Sequence, residues 1–228
     1  MRDHVLHELE LAPRWKLRPA QVAASQASAP AGGDVSQMDW DALRQAVASC
    51  TACPLYESRT QGVLGSGDIH AGWLFVGEAP GAEEDIQGEP FVGAAGKLLD
   101  AMLASLSLQR DTNVYIANVL KSRPPGNRNP KPEEISACLP YLVRQVQLIQ
   151  PKLIVALGRF AAHSLLDTDA SIGSLRGQVH QYHGIPLIVT YHPAYLLRNL
   201  ADKARAWEDL CLANATMQGL LKQQAASI

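Results

Sequence analysis

Three short segments concentrate residue types that do chemistry. The first, GEAPGAEEDIQGEPFVG at 77–93, sets Glu78, Glu83, Glu84, Asp85 and Glu89 among Gly77, Pro80, Gly81 and Gly88, and closes on Phe91. Carboxylates in such a place serve as acids, bases or stabilisers of positive charge. The Gly and Pro make a tight turn with exposed N–H groups, and Phe91 offers an aromatic face. The second segment, ANVLKSRPPGNRNPKPEE at 117–134, carries Asn118, then Lys121, Arg123 and Arg128. A carboxamide presents a donor and an acceptor side by side, suited to the edge of a base. The cations are candidate phosphate contacts. The third, HPAYLLRN at 192–199, carries His192, Leu197 and Arg198. The cysteines are a further set. Cys50-x-x-Cys53, Cys138 and Cys211 are too few for a disulfide scaffold, and their spacing points to metal or cluster ligation.

The elements that must position these segments alternate. Apolar runs at 73–77, 113–120, 152–158 and 186–193 read as strands. Helical spacing predicts helices over 94–106, 132–149, 159–166 and 200–223. Ser36-x-x-Asp39 resembles a capping box, opening a helix with Trp40, Leu43 and Val47 on one face. The pattern predicts a three-layer α/β/α fold around a central, mostly parallel, four-stranded sheet. In such sheets the chemistry sits past the carboxyl ends of the strands, which marks 77–91, 118–131, 158–163 and 192–199.

The chain has 228 residues, 47% of them hydrophobic, enough for one domain with a sizeable core. No apolar run reaches the ~20 residues of a membrane helix. The charged start MRDHVLHELELAPRWKLRP lacks a signal-peptide centre, so a cytoplasmic protein is expected. Residues 1–19 read as a docking peptide for a protein partner or as a segment that packs back on the domain, 20–35 as a flexible linker, and 36–228 as the folded domain. The net charge of −2, taken as an average, argues against nucleic acid. It is unevenly spread: 119–206 holds eleven Lys or Arg against five acids, or +6, which leaves nine bases and seventeen acids, or −8, elsewhere.

The three segments, in this order, resemble the signatures of the family 4 uracil-DNA glycosylases, the iron–sulfur type of the uracil-DNA glycosylase superfamily, over roughly 38–222. The resemblance implies a monomeric DNA-repair hydrolase that flips uracil out of single- or double-stranded DNA and breaks its N-glycosidic bond, leaving an abasic site. It needs no divalent metal. It implies Glu78 and His192 as the catalytic pair: His192 donates to uracil O2 and steadies the leaving anion, while Glu78 positions water or stabilises the sugar cation. Gly77, Glu84, Phe91 and Asn118 would bind uracil, with Phe91 stacking and Glu84 closing the pocket near C5. Lys121, Arg123, Arg128, Leu197 and Arg198 would hold DNA.

The resemblance also implies a [4Fe–4S] cluster. Cys50, Cys53 and Cys138 match three of its ligands, and the fourth is expected at 153–156, where the sequence is LIVA. Cys211 lies far outside that spacing. The cluster is then held by Cys211 or a non-cysteine ligand, is labile or three-iron, or is absent. The missing cysteine and the added N-terminal segment keep a non-catalytic or weakly active DNA- or partner-binding module as the alternative. A covalently trapping relative is disfavoured because 121–138 contains no histidine. A metal phosphohydrolase is disfavoured because the acids of 78–89 lack ordered ligand spacing.

Overall fold

The computed structural model describes residues 34–226, so the segment 1–19 and nearly all of the linker lie outside the described residues. Six strands form one sheet: β1 (Ser66–Gly67), β2 (Trp73–Gly77), β3 (Val114–Asn118), β4 (Leu153–Leu157), β5 (Val179–Tyr182) and β6 (Ile185–Thr190), in the order β1-β3-β2-β4-β6-β5. The four inner strands are parallel, and β1 and β5 add antiparallel edges. The helices are α1 (Trp40–Ala48), α2 (Ala82–Gln87), α3 (Ala94–Ser105), α4 (Pro132–Ile149), α5 (Arg159–Leu166), α6 (Ile172–Leu175), α7 (Pro193–Arg198) and α8 (Lys203–Ala226).

The inner strands are continuous apolar runs because both of their faces are covered. On one face Leu74, Val76, Ile154, Ala156, Leu187 and Val189 pack under Leu142, Val146 and Ile149 of α4 and Ala161, Ala162 and Leu165 of α5. On the other, Phe75, Leu153, Val155, Leu157 and Ile188 pack under Leu99 and Leu103 of α3 and Ala213 and Met217 of α8. Each fully buried Leu, Ile, Val or Phe stabilises the fold by about 1.5–3 kcal/mol. The register sets Gly77 beside Asn118 and Leu157 beside Thr190, which aligns the carboxyl ends of the four inner strands.

Two expectations need correction. The sheet has six strands, not four. β5 alternates exposed and buried side chains and turns into β6 through His183 and Gly184, both at positive φ (47° and 82°), the backbone a two-residue hairpin needs. Its polar sequence VHQY hid it among the apolar runs. The capping box is also absent. Asp39 is itself the cap of α1, its carboxylate accepting from the Ala42 N–H at 2.9 Å, while Ser36 sits in a separate 3-10 turn capped by Asp34.

Candidate active site

The four strand-end segments line one cavity of about 690 Å³. β2 supplies Glu78 and the turn to Phe91, β3 supplies Asn118, β4 supplies Gly158 and Arg159, and β6 supplies Tyr191 and His192.

Gly77 ends β2, and a Cβ there would stand 2.5 Å from Cζ of Phe91 and against Oδ1 of Asn118. Its missing side chain is what lets the aromatic ring and the carboxamide meet. Asn118 is 2% exposed, and its Oδ1 has no hydrogen-bond partner. A buried carbonyl oxygen left unsatisfied costs about 1–3 kcal/mol, so this one is an acceptor waiting for an N–H.

Phe91 has φ 57°, a left-handed backbone that costs a non-glycine residue about 1–2 kcal/mol. Several groups hold it there. Arg110, paired with Asp100, donates to the carbonyls of Pro90 and Phe91. Gly96 admits the Phe91 carbonyl, since a Cβ at that position would overlap it. Glu84 Oε1 accepts from the N–H groups of Val92 (2.9 Å) and Gly93 (3.1 Å), and its Oε2 from Gly81 (3.0 Å). Glu84 therefore lines the cavity and uses both oxygens to brace the turn. Asp85 is buried and accepts from the Thr60 and Gln61 N–H groups, anchoring the same turn to the preceding loop.

His192 caps α7. Its Nδ1 accepts from the Ala194 N–H at 3.1 Å, so Nε2 carries the proton and is the ring's only donor. Burial first, and then the Arg198 charge, push its pKa down to about 4, against a pull upward from Glu84. The imidazole is neutral at physiological pH. Its ring centroid lies 5.4 Å from that of Phe91 at an interplanar angle of 30°. Gly158, at φ 89°, leaves room for it, because a Cβ there would stand 2.8 Å from Cβ of His192. Glu78 follows Gly77, and burial pushes its pKa up to about 7, with Arg159 pulling the other way.

The cations sort differently from the sequence expectation. Lys121 is 1% exposed; its ammonium donates to the Asn118 carbonyl at 2.7 Å and to Gln145 Oε1 at 2.5 Å. It cannot reach a phosphate, and the expectation of a DNA contact is corrected: Lys121 ties down the strand end that carries Asn118. Arg144 is likewise tied to the Met38 carbonyl, and Arg176 to Asp209, Glu208 and the Arg205 carbonyl. Arg128 lines the cavity while paired with buried Glu134, and Arg123 bonds Asn127. Arg198 lies at the cavity and is exposed, and next to it Leu197 is 42% exposed. Spacing in the sequence missed Arg159, stacked 4.8 Å over Phe160, and the stacked pair Tyr191–Tyr195 at 5.1 Å; all line the cavity. Their only sequence signal was position, at the ends of β4 and β6.

Cys50, Cys53 and Cys138 come together on the α4 side of the sheet. The Tyr141 hydroxyl donates to Cys50 Sγ at 3.4 Å, and the Lys121 N–H to Cys138 Sγ at 3.3 Å. Cys53 packs with Cys138 against Leu55 and Leu120. Burial raises the pKa of Cys53, and that of Cys138 to about 11, so without a metal both are neutral thiols. Neither expected source of a fourth ligand is nearby. Residues 153–156 form the central strand β4, inside the two sheet cores. Cys211 is exposed on α8, which covers the opposite face of the sheet from α4. Among the described residues no group of three or more His, Cys, Asp or Glu is arranged to hold a metal ion. Three thiols fall one short of the four-thiolate set of a [4Fe–4S] cluster.

A model of the Uracil DNA glycosylase superfamily matches residues 64–211. A Type-4 uracil-DNA glycosylase of Archaeoglobus fulgidus is 48% identical over 165 residues, covering 69% of this chain and 82% of the relative. One from Pyrobaculum aerophilum is 41% identical over 183 residues (77% and 93%), and one from Thermotoga maritima is 46% identical over 165 residues (72% and 85%).

Proposed function

Since the chain belongs to the uracil DNA glycosylase superfamily and is a DNA-repair uracil glycosylase, we propose that Asn118, Phe91, His192 and Glu78 carry out the recognition and the hydrolysis. The observation that carries this reading is the buried, unpartnered Oδ1 of Asn118, in the cavity shared with Phe91 and a neutral His192.

A uracil flipped from the stack lies on the Phe91 ring. Asn118 Oδ1 accepts from its N3–H while Nδ2 donates to O4. Cytosine reverses both polarities, presenting an acceptor and a donor, and leaves Asn118 mismatched. The C1′–N1 bond then breaks with its electron pair staying on uracil. His192 Nε2–H donates to O2, where the negative charge collects; one such donor lowers the barrier by about 3–4 kcal/mol. Glu78, as the carboxylate, stabilises the sugar cation and takes the proton of the water that adds to C1′. Glu78 passes that proton to solvent and the uracil anion takes one up, so the products are uracil and an abasic deoxyribose. Both roles are filled by side chains, so the reaction needs no divalent metal. Arg128, Arg198 and exposed Leu197 hold the DNA where the base has left, with Arg123 outside them. Around this core the reading has a monomeric cytoplasmic enzyme, one domain over 36–228, acting on uracil in single- and double-stranded DNA, with residues 1–19 serving a protein partner.

A uracil-containing oligonucleotide, incubated with the protein and treated with alkali, breaks at the uracil. Intact strands at high enzyme concentration would overturn the reading. Full activity in both His192→Ala and Asn118→Ala would leave the activity standing and remove the assigned site.

A further inference from the structure

We infer that Ser122 is the fourth corner of the three-thiol site, and that this chain folds there without an iron–sulfur cluster. Ser122 is 4% exposed and directly follows Lys121, whose N–H donates to Cys138 Sγ. Its Oγ accepts from Arg59 Nη1 at 2.8 Å, and Nη2 of the same guanidinium donates to the carbonyls of Val47 (3.1 Å), Ala48 (2.9 Å) and Cys50 (3.1 Å). One planar group thus joins Ser122 to the loop that carries Cys50. The backbone of 121–122 joins it in turn to Cys138. The two positions that spacing suggested are not so placed, since 153–156 lie within the sheet and Cys211 lies on its far face.

The corner therefore carries a hydroxyl where a cluster needs a thiolate. Iron–sulfur clusters select soft thiolate ligands. The Ser122 oxygen is harder, keeps its proton far above neutral pH, and already accepts a charged hydrogen bond. The local structure also holds without a metal. Three Arg59 hydrogen bonds fix the 47–50 loop and a fourth ties it to Ser122. Cys53 and Cys138 pack as small apolar groups against Leu55, Leu120 and Ile135. Restoring one sulfur at 122 completes a ligand set.

The test compares the wild type, Ser122→Cys and Ile154→Cys. Each is purified anaerobically and treated with ferric iron, sulfide and a thiol reductant, and iron and acid-labile sulfide per chain are measured with absorbance near 400 nm. Ser122→Cys gains about four irons per chain and the 400 nm band, whereas the wild type and Ile154→Cys stay iron-free. A stoichiometric three- or four-iron cluster in the wild type overturns the inference, as does a Ser122→Cys protein that takes up no more iron than the wild type. If Ser122→Cys does not fold, the wild type still decides. Its melting temperature is unchanged by an iron chelator if the site is cluster-free, and a drop of several degrees on chelation refutes it. Uracil release does not enter these readouts.

Discussion

Glu78→Gln separates two consequences of one buried carboxylate, because it lowers the rate and raises the stability. Burial pushes the Glu78 pKa from 4.5 to about 7 in the folded protein. Between those values the folded chain keeps a proton that the unfolded chain has lost, so stability falls as pH rises through the window. The penalty is full above pH 7 and absent below 4.5. Its ceiling is the gap of about 2.5 units at about 1.36 kcal/mol each, roughly 3.4 kcal/mol. Glu78 is partly exposed at the cavity, and screening reduces this to about 1–2 kcal/mol. For a chain of this size that is about 2–8 °C in Tm. Differential scanning calorimetry at pH 8 should show Glu78→Gln melting higher than the wild type by that amount, with the gap closed at pH 4.5. Single-turnover uracil release at pH 8 should fall about 10²–10⁴-fold, the size of a lost acid–base group. The wild-type rate should climb to a plateau above about pH 7, and the variant should lose that limb. A Tm difference that is the same at both pH values would falsify the burial argument. A wild-type rate in the variant would remove Glu78 from the chemistry.

Other substitutions probe the remaining contacts. Gly77→Ala drives a methyl between Phe91 and Asn118 and should abolish detectable uracil binding and cut kcat/KM at least ~100-fold, measured on a single-stranded substrate so that flipping is not limiting. His192→Ala should lower kcat about 10²–10³-fold with little change in KM, and the loss should not vary between pH 6 and 9, since the wild-type ring is neutral throughout; a loss confined to low pH would contradict the neutral-donor role. Lys121→Met leaves the Asn118 carbonyl and Gln145 Oε1 without their donor and should destabilise the fold by about 1–3 kcal/mol in urea, yet leave the salt dependence of DNA binding alone. Arg198→Ala should do the opposite, keeping Tm and reducing the slope of log K against log salt by about 0.9. Equal slopes for Arg198→Ala and wild type would take Arg198 off the DNA.

The parts of the fold that were legible are those whose residues do the same thing locally and globally. WLFVG and LIVAL are apolar throughout because both their faces are covered, and the runs alone place them as inner strands. Gly77, Asn118, Gly158 and His192 converge because they end parallel strands, a placement that topology guarantees once the strands are known. The edge strands stayed hidden for the converse reason: β5 has one wet face and two residues of its hairpin turn in unusual backbone, and neither leaves an apolar run. Side-chain destinations were the least legible. Nothing in NVLKSRPP tells Lys121 from Arg123, yet one side chain enters the α4 side and bonds Gln145, twenty-four residues on, while the other stays at the surface. The fourth corner of the thiol site was sought by spacing along the chain and lies instead one residue after Lys121, visible only through the long-range reach of Arg59.

The net charge of −2 loses its force at this point. Of the eleven cations between 119 and 206, Lys121, Arg144 and Arg176 are internal ties, so the basic half grips DNA with fewer charges than it counts. What matters near the base is the opposite tuning of two groups by the same cause. Burial lowers the His192 pKa to about 4 and raises that of Glu78 to about 7, so above neutral pH the site holds a neutral donor and an anionic carboxylate. A protonated imidazole would carry a proton on Nδ1 and lose the Ala194 bond that orients the ring. The neutral one keeps that bond, and its single N–H meets the departing uracil anion. Environments that push two titratable groups apart divide the work between them, and here the division assigns one to each side of the breaking bond.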